Sequence, residues 1–147
     1  MVVAGLLGLR SVACCEWVTA RRVAAGLARA AGASAWLRGG VVSYQESVKR
    51  SSLGVTSSSV YSEAAAREMA GAVARILDAN VAVATTGVAD AEPVERVAAG
   101  TAFIATLVDG EVRAATRFEG SADEVCFVAT TFALGMLRAH LAGRCTH

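Results

Sequence analysis

Ser11-Val12-Ala13-Cys14-Cys15-Glu16-Trp17-Val18-Thr19-Ala20-Arg21 is the stretch that decides the fold. Residues 11–15 are small or apolar without alternation, as expected of a strand buried on both faces. A short turn follows, and then an alanine-rich run over 21–31. Val23, Leu27 and Ala31 recur there at helical spacing, and Gly32 stops the run. A strand passing through such a turn into a helix opens a parallel α/β unit. The first N–H groups of the helix then face the carboxyl edge of the sheet, where such folds bind ligands. Thr19 is the expected N-cap.

Outward from that unit, residues 2–9 read as the end of a helix. Gly39-Gly40 precede a second strand, Val41-Val42-Ser43-Tyr44, and a short polar helix over 46–52 follows. Ser62 caps a helix carrying Met69, Val73 and Ile76 on one face, with Glu63 complementing its dipole. Residues 80–86 form a third strand closed by Gly87, and a loop over 88–99 holds the single proline, Pro93. Strands over 101–108 and 111–118 are joined through Asp109-Gly110, the strongest hairpin signal in the chain. Ser121 and Glu124 read as a capping box for a last helix reaching Leu141. Crossover strands plus one hairpin predict a three-layer α/β/α sandwich on a mixed, mostly parallel five-stranded sheet. One domain over 1–147, with a shortened N-terminal helix, is expected.

The chain has 147 residues, 54% of them hydrophobic, with mean hydropathy +0.48. No apolar stretch is expected to reach the roughly 20 residues that span a bilayer, so the excess points to buried strands or an apolar subunit interface. Net charge is +1 with 18% charged residues, which gives no footprint for nucleic acid or an anionic membrane. Cysteines stand at 14, 15, 126 and 145. Cys14 and Cys15 point to opposite faces of a strand and cannot easily share a metal. Reduced, buried thiols are expected, with no metal and no cofactor. The expected location is the cytoplasm, with Arg10, Arg21 and Arg22 leaving a mitochondrial address open.

With the elements placed, the chain resembles the CinA C-terminal family, the nicotinamide-mononucleotide amidases, from about Leu6 to about Leu141. The motifs that carry the likeness include residues 13–19, against a family pattern T-A-E-S-C-T-G-G, then Gly32-Ala33-Ser34 and Arg38-Gly39-Gly40-Val41-Val42-Ser43-Tyr44. Lys49, Leu53-Gly54-Val55, Ser62-Glu63, Thr86-Gly87-Val88-Ala89, Gly100-Thr101 and Phe118-Glu119-Gly120 continue it. The resemblance implies hydrolysis of the carboxamide of nicotinamide mononucleotide by a serine, with a lysine as base and a tyrosine beside it. A serine hydroxyl attacks only when a base takes its proton, and a buried lysine can be neutral enough to do so.

The lysine and tyrosine positions match Lys49 and Tyr44. The serine position is Trp17, the next residue Val18, and the two family glycines are Ala20 and Arg21. Asp90-Ala91 replaces a Gly-Pro, Glu92-Pro93-Val94-Glu95-Arg96 replaces a glycine-rich stretch, and a few residues are missing between Val55 and Val60. The departures gather where the resemblance puts the active site. A domain impaired in catalysis, acting as a binding or oligomeric protein, is therefore expected; the alternative is an active amidase. Trp17 reads as a plug in a vacated pocket or as a stacking platform. Lys49 reads as a surface lysine or as a retained base, and Tyr44 as a packing or a site residue. Thr19, Arg21, Thr85, Thr86 and Gly87 are the candidate contacts for a nucleotide-like small molecule, and a second copy of the chain is the expected partner.

Overall fold

The computed structural model describes residues 3–90, 92–118 and 120–145. In order the elements are α1 (Val3–Leu7), β1 (Val12–Glu16), α2 (Arg22–Ala28), α3 (Ala33–Trp36) and β2 (Leu37–Val42). They continue with α4 (Glu46–Ser51), α5 (Glu63–Ile76), β3 (Val81–Gly87), β4 (Thr101–Val108), β5 (Glu111–Phe118) and α6 (Ala122–Cys145). The sheet runs β2-β1-β3-β4-β5. β1 pairs in parallel with β2 and β3, whereas the β3–β4 and β4–β5 pairs are antiparallel. Only β4 therefore runs against the rest, which gives the expected mixed, mostly parallel sheet.

Continuous apolarity in β1 and β3 follows from helices on both faces. Ala13, Cys15, Ala82, Ala84 and Ala105 meet Met69 and Val73 of α5 on one side. On the other, Val12, Cys14, Val81, Val83 and Ile104 meet Val23 and Leu27 of α2 with Leu137 and Leu141 of α6. The two adjacent thiols thus enter different layers, as alternation along a strand requires. Each fully buried Leu, Val or Met contributes about 2 kcal/mol of apolar transfer. The prevalence of alanine on the sheet lets α5 lie close.

Several boundaries depart from expectation. β1 starts and ends one residue later than read. β2 begins at Leu37 and includes Gly39-Gly40, which pair with Ala13 and Cys14; as an edge strand joined only to β1, it tolerates the glycines. α2 stops at Ala28, and a separate turn, α3, was not foreseen. At α5 the expected cap is present: Ser62 Oγ accepts from Ala65 N–H at 3.1 Å. The expected capping box at α6 is not. Among the described residues Ser121 Oγ makes no hydrogen bond, and its carbonyl instead accepts from Val125 N–H at 3.2 Å.

α6 also corrects the hydropathy reading, since Glu124–Gly143 is 20 residues long and apolar enough, by length and composition alone, to cross a membrane. Its Val125, Ala129, Ala133, Leu137 and Leu141 are buried at four-residue intervals. A core helix satisfies the same criterion as a membrane span. In the β4–β5 hairpin, Asp109 (φ 48°) and Gly110 (φ 85°) adopt the left-handed pair that an Asp-Gly turn favours.

Candidate functional site

The β1–α2 turn is built around a carboxylate. Glu16, 1% exposed, ends β1 with its side chain directed at the start of α2. Its Oε1 accepts from Thr19 Oγ1 at 2.5 Å and from Val23 N–H at 2.8 Å; its Oε2 accepts from Ala24 N–H at 2.9 Å. Thr19 is therefore not the helix cap, as expected, but a support for the residue that is. Its proton is committed to Glu16, so the 2.8 Å contact with Thr85 Oγ1 has Thr85 as donor. A buried carboxylate satisfying the orphan N–H groups of a helix start does so chemically as a bound anion would. The N–H groups that the sequence assigned to a ligand are consumed by Glu16.

The clamp fixes the path of the turn. Ala20 and Arg21 both lie in the left-handed region, at φ 48° and 72°. Glycine adopts this conformation at low cost, whereas alanine and arginine carry a Cβ into it. Arg21 is exposed, and its guanidinium makes no hydrogen bond or ion pair among the described residues.

Trp17 begins the turn, its N–H donating to the Thr85 carbonyl at 3.1 Å. Its indole is half-buried. Lys49 Nζ sits over the ring, 4.4 Å from the centroid, and the Tyr61 ring lies 5.2 Å away at 54°. Lys49 itself is 1% exposed, which overturns the surface-lysine expectation. Its helix, α4, is only six residues long and follows the edge strand β2, and Lys49 is its one buried residue. Nζ donates to the carbonyls of Ser43 at 2.9 Å and Tyr44 at 3.2 Å. Burial lowers its pKa from 10.5 to about 8, partly opposed by Cys15 and Glu46. A largely protonated ammonium between two carbonyls and an indole is held there by cation–π attraction as well as hydrogen bonds.

Cys15 lies close enough to feel that charge. Burial pushes its thiol up to about 12, with Ser43 and Lys49 pulling the other way and Glu16 adding to the rise. Cys14 is pushed higher still, by burial first and then by Glu16. Neither is a thiolate at neutral pH, so neither can act as a nucleophile. Tyr61 is likewise held as a phenol, by burial and by the carboxylates of Glu95, Glu46 and Asp90.

What space remains is a cleft of about 240 Å³ lined by Trp17, Val18, Ala20, Tyr44, Ala89, Asp90 and Cys126. Tyr44, 60% exposed, forms one wall. Lys49 and Tyr44 thus occupy neighbouring positions around Trp17, the lysine behind the indole and the tyrosine in the cleft. The sites at 85–87 are placed differently. Thr85 and Thr86 are fully buried, the latter donating to the Val60 carbonyl at 2.9 Å. At Gly87 an added Cβ would lie 2.3 Å from the Thr101 carbonyl oxygen, so glycine there serves the β3–β4 contact. Sequence reasoning missed Tyr61 and Cys126 as neighbours of Trp17. They come from the entry to α5 and from α6, and no local spacing links them to the turn.

A model of the CinA C-terminal domain matches residues 7–141. The chain belongs to the CinA C-terminal domain family. Among its relatives, a CinA-like protein of Frankia casuarinae is 39% identical over 97% of the chain, and one of Mycolicibacterium vanbaalenii 35% identical over 96%. The chain spans about a third, 35%, of the length of both. Solved structures agree on the fold. A competence-damaged protein superfamily member from Klebsiella pneumoniae has TM-score 0.88 at 30% identity, covering 96% of this chain and 94% of that one. A superfamily member from Enterobacter cloacae has TM-score 0.90 at 26% identity, covering 95% and 88%. The CinA scaffold is therefore intact in a chain whose turn carries Trp17, Ala20 and Arg21.

Proposed function

We propose that this CinA-family domain has lost amidase chemistry and acts as a structural or binding module. The observation that carries the reading is Trp17, which the resemblance puts at the serine position: its indole has Lys49 Nζ over the ring and Tyr61 beside it. An indole offers no nucleophilic oxygen. Both acceptors of Lys49 are backbone carbonyls, which have no proton to yield to a base. The cleft of about 240 Å³ lies below the roughly 300–1,000 Å³ of sites that enclose whole small molecules, so it suits a single ring better than a mononucleotide.

The second reading, hydrolysis of nicotinamide mononucleotide to nicotinate mononucleotide and ammonia, has one observation in its favour. A lysine with pKa about 8 is close to what a general base needs at neutral pH. Incubating the pure protein with nicotinamide mononucleotide and measuring ammonia decides between them. No release above a protein-free blank is expected. Release that Lys49→Ala abolishes would overturn the proposal.

A further inference from the structure

Lys49 is the only lysine in the chain, and every other strongly basic side chain is an arginine, which keeps its proton in alkali. The one basic side chain that can discharge is therefore the one set against Trp17. Its Nζ lies 4.4 Å from the indole centroid and donates to the Ser43 and Tyr44 carbonyls. A neutral amine keeps two N–H groups, enough for both carbonyls, so loss of the proton leaves Lys49 in place. What disappears is the charge on the ring face, and with it the cation–π attraction.

Trp17 is pinned through its backbone, which donates to the Thr85 carbonyl and accepts from Ala20 N–H, both at 3.1 Å. Its indole N–H makes no hydrogen bond among the described residues. Apart from Lys49, the ring leans on Tyr61, 5.2 Å away. The cleft of about 240 Å³ borders it, walled by Ala20, Ala89 and the exposed Tyr44. Side-chain rotation on a fixed backbone can thus carry the indole from its seat into open space. The groups around Lys49 confine the titration to one proton. Burial pushes the Cys15 thiol on β1 up to about 12, and burial with Glu95, Glu46 and Asp90 raises Tyr61. Glu46, on Lys49's own helix, is paired with Arg50 at 2.9 Å, and Glu16 is held by Thr19 and the start of α2.

We infer that Trp17 is a gate closed by the charge on Lys49: the ammonium holds the indole in its seat, and mild alkali frees the ring to swing into the cleft. The inference rests on the reading of Trp17 as a plug in a binding module. In a Trp36→Phe chain Trp17 is the sole tryptophan, and lysine labelled with carbon-13 at Cε reports Lys49 alone. Acrylamide quenching of Trp17 should rise severalfold as pH passes through about 8, with the same midpoint as the Lys49 carbon signal. Lys49→Met should show the higher quenching at every pH, and Lys49→Arg, which stays charged, the lower. Circular dichroism at each pH separates ring release from unfolding. If either variant fails to fold, the two midpoints in the Trp36→Phe chain still decide. Quenching that stays flat while the lysine titrates overturns the inference, as does a lysine signal that holds still up to about pH 10. So does a rise that misses the Lys49 midpoint or survives in Lys49→Met. No ammonia is measured, so the gate can fail with the loss of amidase chemistry standing, and the reverse.

Discussion

The turn from β1 into α2 and the turn joining β4 to β5 each place two successive residues in the left-handed region. They are Ala20 (φ 48°) with Arg21 (φ 72°), and Asp109 (φ 48°) with Gly110 (φ 85°). In the hairpin the residues suit the backbone, since Asp and Gly enter that region at low cost. In the β1–α2 turn they do not, because a Cβ there crowds the following carbonyl. The hairpin's own two residues favour its turn, and Asp109 is tied down further by its N–H to the Asn80 carbonyl at 3.0 Å and by Arg10 at 2.9 Å. The other turn is imposed from outside, by Glu16 reaching across to the helix start.

If that is the division, the largest effect of any single change at the first turn belongs to Glu16. Glu16→Ala removes three acceptor contacts at once and leaves the Val23 and Ala24 N–H groups and the Thr19 hydroxyl without their buried partner. About 4 kcal/mol of stability should be lost, measured by urea unfolding. Amide hydrogen exchange should locate the loss at the start of α2 and not in the hairpin. A loss below about 1 kcal/mol would mean that the turn holds its shape without the clamp.

Lys49, under the same turn, makes a pH-dependent contribution to stability. Its proton leaves the folded chain near pH 8 and the unfolded chain near 10.5. Between those values the unfolded state holds more protons, so raising the pH favours the fold. Below pH 8 both states are protonated and the burial penalty is complete, about 3 kcal/mol at most. The wild type should therefore gain stability relative to Lys49→Met as pH rises from 8 toward 10.5. The midpoints of urea unfolding for both proteins, taken across that range, test it. Ionisation of the unfolded thiols opposes folding at high pH, but it is common to both proteins. A gap that stays flat would place Lys49's ammonium in a more solvated setting than its 1% exposure implies.

The same contrast accounts for what could be read in the sequence. Elements fixed by nearby residues were legible: the Asp109-Gly110 hairpin, the Ser62 cap with its Ala65 N–H, and the doubly buried β1 and β3. The family was legible too, through motifs that hold the scaffold. Contacts made across the chain were not. Glu16 caps a helix that starts six positions on, a distance outside the usual capping patterns. Thr19, standing closer, looked like the cap. Lys49 looked exposed because a six-residue polar helix gives no periodicity to show which face turns inward. Tyr61 and Cys126 reach Trp17 from other elements. At the start of α2, nothing in Ala20-Arg21 as a sequence signalled a left-handed pair.

That left-handed pair gives the smallest and most direct test of the contrast, because glycine should act with opposite sign in the two turns. At Gly110 an added Cβ meets nothing within 4 Å, so Gly110→Ala isolates the conformational penalty, about 1 kcal/mol of lost stability. At Ala20 and Arg21 the penalty is already present. Replacing either by glycine relieves about 1–2 kcal/mol of left-handed strain and returns about 0.5–1 kcal/mol through the freer unfolded chain. Ala20→Gly and Arg21→Gly should therefore each stabilise the fold by about 0.5 kcal/mol, a gain seldom seen when glycine enters a structured segment. Thermal melts of the three variants beside wild type resolve the signs. If the two substitutions in the β1–α2 turn destabilise instead, the Ala20 and Arg21 side chains contribute contacts that outweigh the strain. The path of that turn would then be favoured by its own residues as well as by Glu16.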